Sequence, residues 1–211
     1  MMKRLAIDLI DLTSQSGTRA GTSMHSSQTL ISRARSGDDE AFRLIFERYT
    51  RPVIGFIYNM VGQRDLAEEL AQETFVRAYR HLCGLRDDAK LSSWLFGIAK
   101  NVARESTRAN RHDRNRVEMD DVDVAGLQHQ GPAPECVVLD KELDKVVQNA
   151  LLMLDADKRL VFTLKVFQQR GYDEIAEITG FSVPKVKTDL HRARAEMRRR
   201  MSSYLGVKNE V

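Results

Sequence analysis

From residue 38 onward, apolar positions recur three and four apart in successive runs, and glycine, proline and acidic clusters separate those runs. The first strong run is Phe42, Ile45, Phe46, Tyr49, Val53, Phe56, Ile57 and Met60. It predicts an amphipathic helix that opens at Asp38 or Asp39, both good N-caps, and closes at Gly62. Pro52, which has no amide proton, is expected to kink or split this helix. A second helix is predicted from about Arg64 to His81, burying Leu66, Leu70, Phe75, Val76 and Tyr79. A third runs from Leu91 to about Arg111 with Leu91, Leu95, Ile98, Ala99 and Val102 on its core side. Helical order resumes at Val138 or Leu139 and continues through Leu143, Val146, Val147, Ala150, Leu151 and Leu154. The break from Asp155 to Asp157 then caps a helix carrying Leu160, Val161, Leu164 and Phe167. No alternating run of strand length bounded by turns occurs, so the predicted class is all-α.

The run from Gly171 to Arg200 holds two short helical patterns around a glycine turn. Asp173 and Glu174 suit the first turn of the first pattern, because carboxylates favour the positive end of a helix. Gly180 stops it as a left-handed C-cap, Ser182 can cap the next helix, and Pro184 sits where a missing donor costs nothing. Ala176 lets the helices approach and Val186 plugs the junction, which together describe a helix-turn-helix unit. Residues 181–200 carry seven basic residues against two acidic ones. A helix with that excess fits a phosphate-lined groove, the alternative being a solvated basic face.

Composition changes this picture only in places. At 211 residues with 42% hydrophobic content, one or two domains with real cores are expected, and a net charge of +3 says little about partners. Residues 1–27 are read as an extension without stable order, Ser, Thr and Gly being frequent from residue 13. Residues 28–111 form a first helical domain, 112–136 an acidic flexible linker, 137–205 a second helical domain and 206–211 a tail. Cys83 and Cys136 stand apart with no metal-ligand spacing, and the histidines lie in unrelated contexts with no nucleophile or phosphate loop beside them. The expectation is a cytoplasmic, non-enzymatic protein without metal or cofactor. No apolar run approaches membrane-spanning length, so no membrane insertion is expected.

Two charged faces invite chemistry. Asp65, Glu68, Glu69, Gln72 and Glu73 lie three and four apart on the second helix, either a solvated face or a docking surface for a basic partner. On the third helix Lys100, Arg104, Arg108 and Arg111 form one basic stripe, with Trp94 and Asn101 at its border. Charge for phosphates, a ring for stacking and an amide for base edges suit capture of single-stranded DNA; the competing reading of Trp94 is a core residue at a helix seam.

Taken in order, these stretches resemble a bacterial RNA polymerase sigma factor of the extracytoplasmic-function type, the group with only regions 2 and 4. The segment 38–42, DDEAF, resembles the opening of region 2, and 65–75, DLAEELAQETF, the part that docks on the polymerase. The segment 93–101, SWLFGIAKN, resembles the helix that melts and reads the minus-10 element, and Tyr172 to Arg194 resembles region 4. The resemblance implies that Asp65, Glu68, Glu69, Gln72 and Glu73 meet the β′ clamp helices, with the β flap as a further contact. It implies that Asn101 captures a flipped minus-10 base beside Trp94, Lys100, Arg104, Arg108 and Arg111. Lys187, Thr188, His191 and Arg192 would face the major groove at minus-35, with Lys185, Arg194 and Arg198 toward phosphates. Core polymerase, promoter DNA both duplex and single-stranded, and an anti-sigma protein are the implied partners. Leu85, Leu91, Asp155, Pro184, Lys185 and Asp189 depart from the family's usual residues and bear on promoter preference. The rival reading is a conventional helix-turn-helix regulator that binds duplex operators without polymerase.

Overall fold

The computed structural model describes residues 24–85, 87–116 and 135–205, with side chains described within 30–85, 87–109 and 143–202. The elements are α1 (Met24–Arg35), α2 (Asp39–Val61), α3 (Arg64–His81), α4 (Leu91–Arg116), α5 (Glu135–Leu152), α6 (Ala156–Phe162), α7 (Tyr172–Thr179) and α8 (Val183–Leu205). Two 3-10 turns join α3 to α4, a π-helical turn at Thr163–Phe167 follows α6, and no strand occurs among the described residues.

Local chemistry explains most boundaries. Asp38 caps α2 by accepting from the Ala41 amide at 3.1 Å. That bond, and the Arg33 guanidinium beside it, hold the Asp38 carboxyl below its ordinary value. Gly62 ends α2 at φ 81°, its amide donating back to the Tyr58 carbonyl at 2.8 Å. Pro52 sits inside an unbroken helix, so the expected split does not occur. Val53, Phe56 and Ile57, each at 0% exposure, bury the apolar side just after Pro52 in the core and keep the helix continuous there.

Other differences from the sequence reading have equally physical causes. Helix α1 begins at Met24, before the expected start of order, because Ile31 and Ala34 pack against Ala41, Ile45, Leu82, Leu85 and Leu91. Helix α3 buries the small residues Ala67, Ala71 and Ala78 with Thr74 and Phe75, which lets it approach its neighbours closely. Leu66 and Leu70 are only half-buried, while Val76 and Tyr79 are 42% and 50% exposed. Tyr79 lays its ring edge-on against Phe42 and donates its hydroxyl to Asp39 Oδ1 at 2.9 Å. Phe96, absent from the predicted core of α4, is fully buried edge-on against Phe56, and Ile98 is half-buried in its place. Helices α4 and α5 extend to Arg116 and from Glu135, further than expected; the remainder of the proposed linker, 117–134, lies outside the described residues, as do 1–23 and 206–211.

The two halves do not lie apart. A single hydrophobic cluster runs from Phe56, Leu95 and Phe96 in the first half to Leu151, Leu160, Phe162, Ile175 and Val186 in the second. Second-half side chains cap the end of α2: Gln148 Nε2 donates to the Tyr58 carbonyl at 2.9 Å and Arg159 Nη1 to the Met60 carbonyl at 2.7 Å. Carbonyls of a helix's last turn lack intrahelical partners, and a cation there also meets the negative end of the helix dipole.

Candidate nucleic-acid and polymerase interfaces

The helix-turn-helix is built as its residues dictate. Glu174 Oε2 accepts the Gly171 amide at 2.8 Å to open α7, and Gly180 closes it at φ 78°. Thr179, 6% exposed, locks the turn by donating to the Ile175 carbonyl at 2.6 Å and accepting the Phe181 amide at 3.1 Å. Ser182 caps α8 weakly, its hydroxyl 3.4 Å from the Lys185 amide. Val186, Leu190, Ala193 and Met197 turn into the core, leaving Lys187, Thr188, His191, Arg192 and Arg198 exposed on the other side and Arg194 half-buried.

One predicted phosphate contact is already engaged. Lys185 Nζ meets Asp189 Oδ2 at 2.5 Å and Asp157 Oδ2 at 3.1 Å, and lies 4.0 Å from the Phe181 ring centroid. The Asp189 bond, then the Asp157 bond, raise its pKa above the ordinary lysine value. Arg200 is tied inward as well, pairing with Glu196 and donating to the Met153 carbonyl at 3.3 Å.

At the Lys100 end of the stripe, α4 borders a cavity of about 640 Å³. Lys90, Trp94, Lys100 and Asn101 line it from the first half, and Glu177 and Ile178 of α7 face them. Trp94 packs against the two apolar clusters and also borders the cavity. Asn101 is exposed, Lys100 and Arg104 are half-buried, Arg108 is exposed, and the side chain of Arg111 lies outside the described residues. Burial, then the neighbouring Arg104 charge, lower the Lys100 pKa below the ordinary lysine value. Lys90 is the residue that the motif reading missed; it lies one helical turn before Trp94 and had no periodic partner to mark it.

The acidic face of α3 is partly self-paired. Arg64 bonds Glu68 at 3.2 Å, and Arg77 bonds both Glu73 at 2.7 Å and Glu105 of α4 at 2.8 Å. Asp65, Glu69 and Gln72 are exposed beside them. Among the described residues, no group of three or more His, Cys, Asp or Glu side chains could hold a metal, and no helix is long and apolar enough to cross a membrane.

Comparison with known proteins identifies the two halves of the chain. The family description Sigma-70 region 2 matches residues 45–113, and Sigma-70, region 4, matches residues 144–197. Together they define the class, a sigma-70-type transcription initiation factor. Among curated relatives, the ECF RNA polymerase sigma factor SigW of Bacillus subtilis (strain 168) is 32% identical over 180 residues, covering 81% of this chain and 94% of its own. The ECF RNA polymerase sigma-E factor of Escherichia coli (strain K12) is 31% identical over 172 residues, covering 79% and 90%. The chain belongs to the ECF RNA polymerase sigma factors, which bind core RNA polymerase and direct it to promoters.

Two solved structures share the fold. CnrH, in complex with the cytosolic domain of CnrY, superposes with a TM-score of 0.64 at 22% identity, covering 84% of this chain and 98% of that one. The sigma factor RpoE, in complex with the anti-sigma factor NepR from Bartonella quintana, gives 0.63 at 22%, covering 76% and 96%.

Proposed function

We propose that this sigma factor divides promoter recognition between two surfaces of its own chain. The exposed side of α8 takes duplex DNA at minus-35, with Lys187, Thr188, His191 and Arg192 toward base edges and Arg194 and Arg198 toward phosphates. The cavity beside α4 takes an unpaired minus-10 base, stacked near Trp94 and read by Asn101, while Lys100, Arg104 and Arg108 hold the strand's backbone. What carries this reading is the conjunction of a ring, Trp94, an amide, Asn101, and two lysines, Lys90 and Lys100, around one cavity. Docking on the polymerase clamp falls to Asp65, Glu69 and Gln72, which are exposed on α3, with Glu68 and Glu73 contributing through the charge they share with Arg64 and Arg77. An anti-sigma protein of the kind found with RpoE is the expected cytoplasmic regulator.

Run-off transcription with purified core polymerase, followed by footprinting, tests the assignment. Glu69→Lys is expected to lower core affinity at least about tenfold while leaving minus-35 duplex binding by the protein alone unchanged. Unaltered core binding in that variant would remove α3 from the interface.

A further inference from the structure

The two 3-10 turns between α3 and α4, Leu82–Gly84 and Asp88–Lys90, are held to each other by a residue of another helix. Each turn closes on itself. The Leu85 amide donates to the Leu82 carbonyl at 3.1 Å, the Lys90 amide donates to the Asp87 carbonyl at 3.0 Å, and Asp87 Oδ1 accepts the Ala89 amide at 2.9 Å. Such turns are short-range devices, and none of these bonds fixes one turn against the other. Arg35, the last residue of α1, does so. Its Nη2 donates to the Leu85 carbonyl just after the first turn and lies 2.6 Å from Asp88 Oδ1 at the start of the second. Arg35 is 28% and Asp88 18% exposed, so the pair is screened less than an ion pair in open solvent.

The same helix also packs on the connection, because Ile31 and Ala34 share one apolar cluster with Leu82, Leu85 and Leu91. Apolar burial sets how deep the chain sits but has no direction. The planar fork of an arginine, meeting a carbonyl and a carboxylate together, adds the orientation.

These turns form part of the cavity beside α4: Leu85, Asp87 and Lys90 line it with Trp94 and Asn101. Arg35 grips Leu85 directly, Asp87 precedes the gripped Asp88, and Lys90 closes the same turn. We propose that Arg35 is a positioning residue for minus-10 reading: it touches no base, but by fixing two turns of the cavity wall against each other it sets which unpaired base the cavity accepts. The proposal rests on reading that cavity as the minus-10 base site. A pocket discriminates between bases by where its polar edges stand, and a wall free to shift by about 1 Å accepts several shapes alike. Loss of Arg35 therefore lowers selectivity at minus-10 and spares polymerase docking and minus-35 duplex binding, whose proposed contacts lie on α3 and α8.

Arg35→Met keeps the stem of the side chain and removes the fork, while Asp88→Asn removes one anchor at nearly constant volume. The test uses the full-length protein in holoenzyme, on a promoter found by footprinting and its variants at each minus-10 position, and reads open-complex yield. Expected in Arg35→Met is about a tenfold compression of the ratio between best and worst base, with core affinity and minus-35 duplex binding unchanged. Arg35→Lys, able to meet one acceptor but not both, should give an intermediate ratio. Asp88→Asn added to Arg35→Met should change little further. Without polymerase, acrylamide quenching of Trp94, the only tryptophan in the chain and packed against the same cluster, should rise in Arg35→Met.

An equal loss of yield at every base, with the ratio intact, overturns the proposal and leaves Arg35 a support of the fold alone. An unaltered ratio with unaltered yield overturns it too, as does unchanged quenching, which would mean that the wall had not moved. If Arg35→Met loses helicity by circular dichroism, Asp88→Asn carries the same test with a smaller compression expected. The underlying site reading fails by a different measurement: Asn101→Ala leaving both yield and base ratio unaltered in the holoenzyme.

Discussion

The two surfaces proposed here to face DNA differ in how ready they are. On α8 the side chains proposed for the groove, Lys187, Thr188, His191 and Arg192, stand exposed, held in register by the buried Val186, Leu190 and Ala193 behind them. On α4 the cations Lys100 and Arg104 are half-buried, and each already has an acceptor from region 4. A duplex presents a rigid lattice of phosphates, and a preformed helix face can meet it without rearrangement. An unpaired strand must be captured in a cavity, and a cavity lined by cations and a ring is attractive to any acceptor, including those in the same chain. The difference teaches that similar charge does not mean similar availability.

The largest test of this contrast addresses whether the two surfaces rest on one core. Phe96 is fully buried, stacked edge-on with Phe56 and beneath Arg170, and Phe96→Ala is expected to cost about 3–5 kcal/mol. Because the cluster is continuous across both halves, Trp94 fluorescence and circular dichroism should follow one shared urea transition, displaced together in the variant. Transitions that fail to coincide between the two probes would show two independent bodies.

The second test compares the surfaces directly. Lys187→Ala and Arg192→Ala should each weaken minus-35 duplex binding by about 1–3 kcal/mol where a base contact is lost, already in the protein alone. Lys100→Ala should leave single-strand binding by the free protein little changed, and lower open-complex formation only once polymerase is present. A loss on every duplex sequence alike would reassign Lys187 or Arg192 to phosphate contact.

The smallest effects come from the two turn glycines. Gly180→Ala forces a Cβ into the left-handed region at φ 78° but meets no atom within 4 Å, so thermal unfolding should report about 1–2 kcal/mol. Gly62→Ala, at φ 81°, adds a contact of 2.5 Å with Leu152 Cδ1 of the opposite half, and it should cost somewhat more and raise Trp94 quenching. Equal costs with no change at Trp94 would mean that Leu152 swings aside freely.

Much of this was readable before any coordinates. Asp38, Gly62, Asp155 and Gly180 occupy the caps that the residue pattern assigned to them, and α3 runs between the residues expected. Caps and turns depend on a side chain and an amide two to four residues away, so one sequence carries both partners of the interaction. The faces were read less well. Val76 and Tyr79 turned outward because three alanines bring α3 close enough for its core without them, and Phe96 turned inward because Phe56 and Arg170 enclose it.

The sequence by itself determined an all-helical chain with two regions, their order, the helix-turn-helix, and which helices carry acidic and basic charge. Only the tertiary structure decided which charge meets which. Lys100 reaches a carbonyl 78 residues away, and Arg104 a carboxylate 53 residues away. Such pairings follow from where a shared core brings two helices together, and periodicity within either helix holds no record of that meeting.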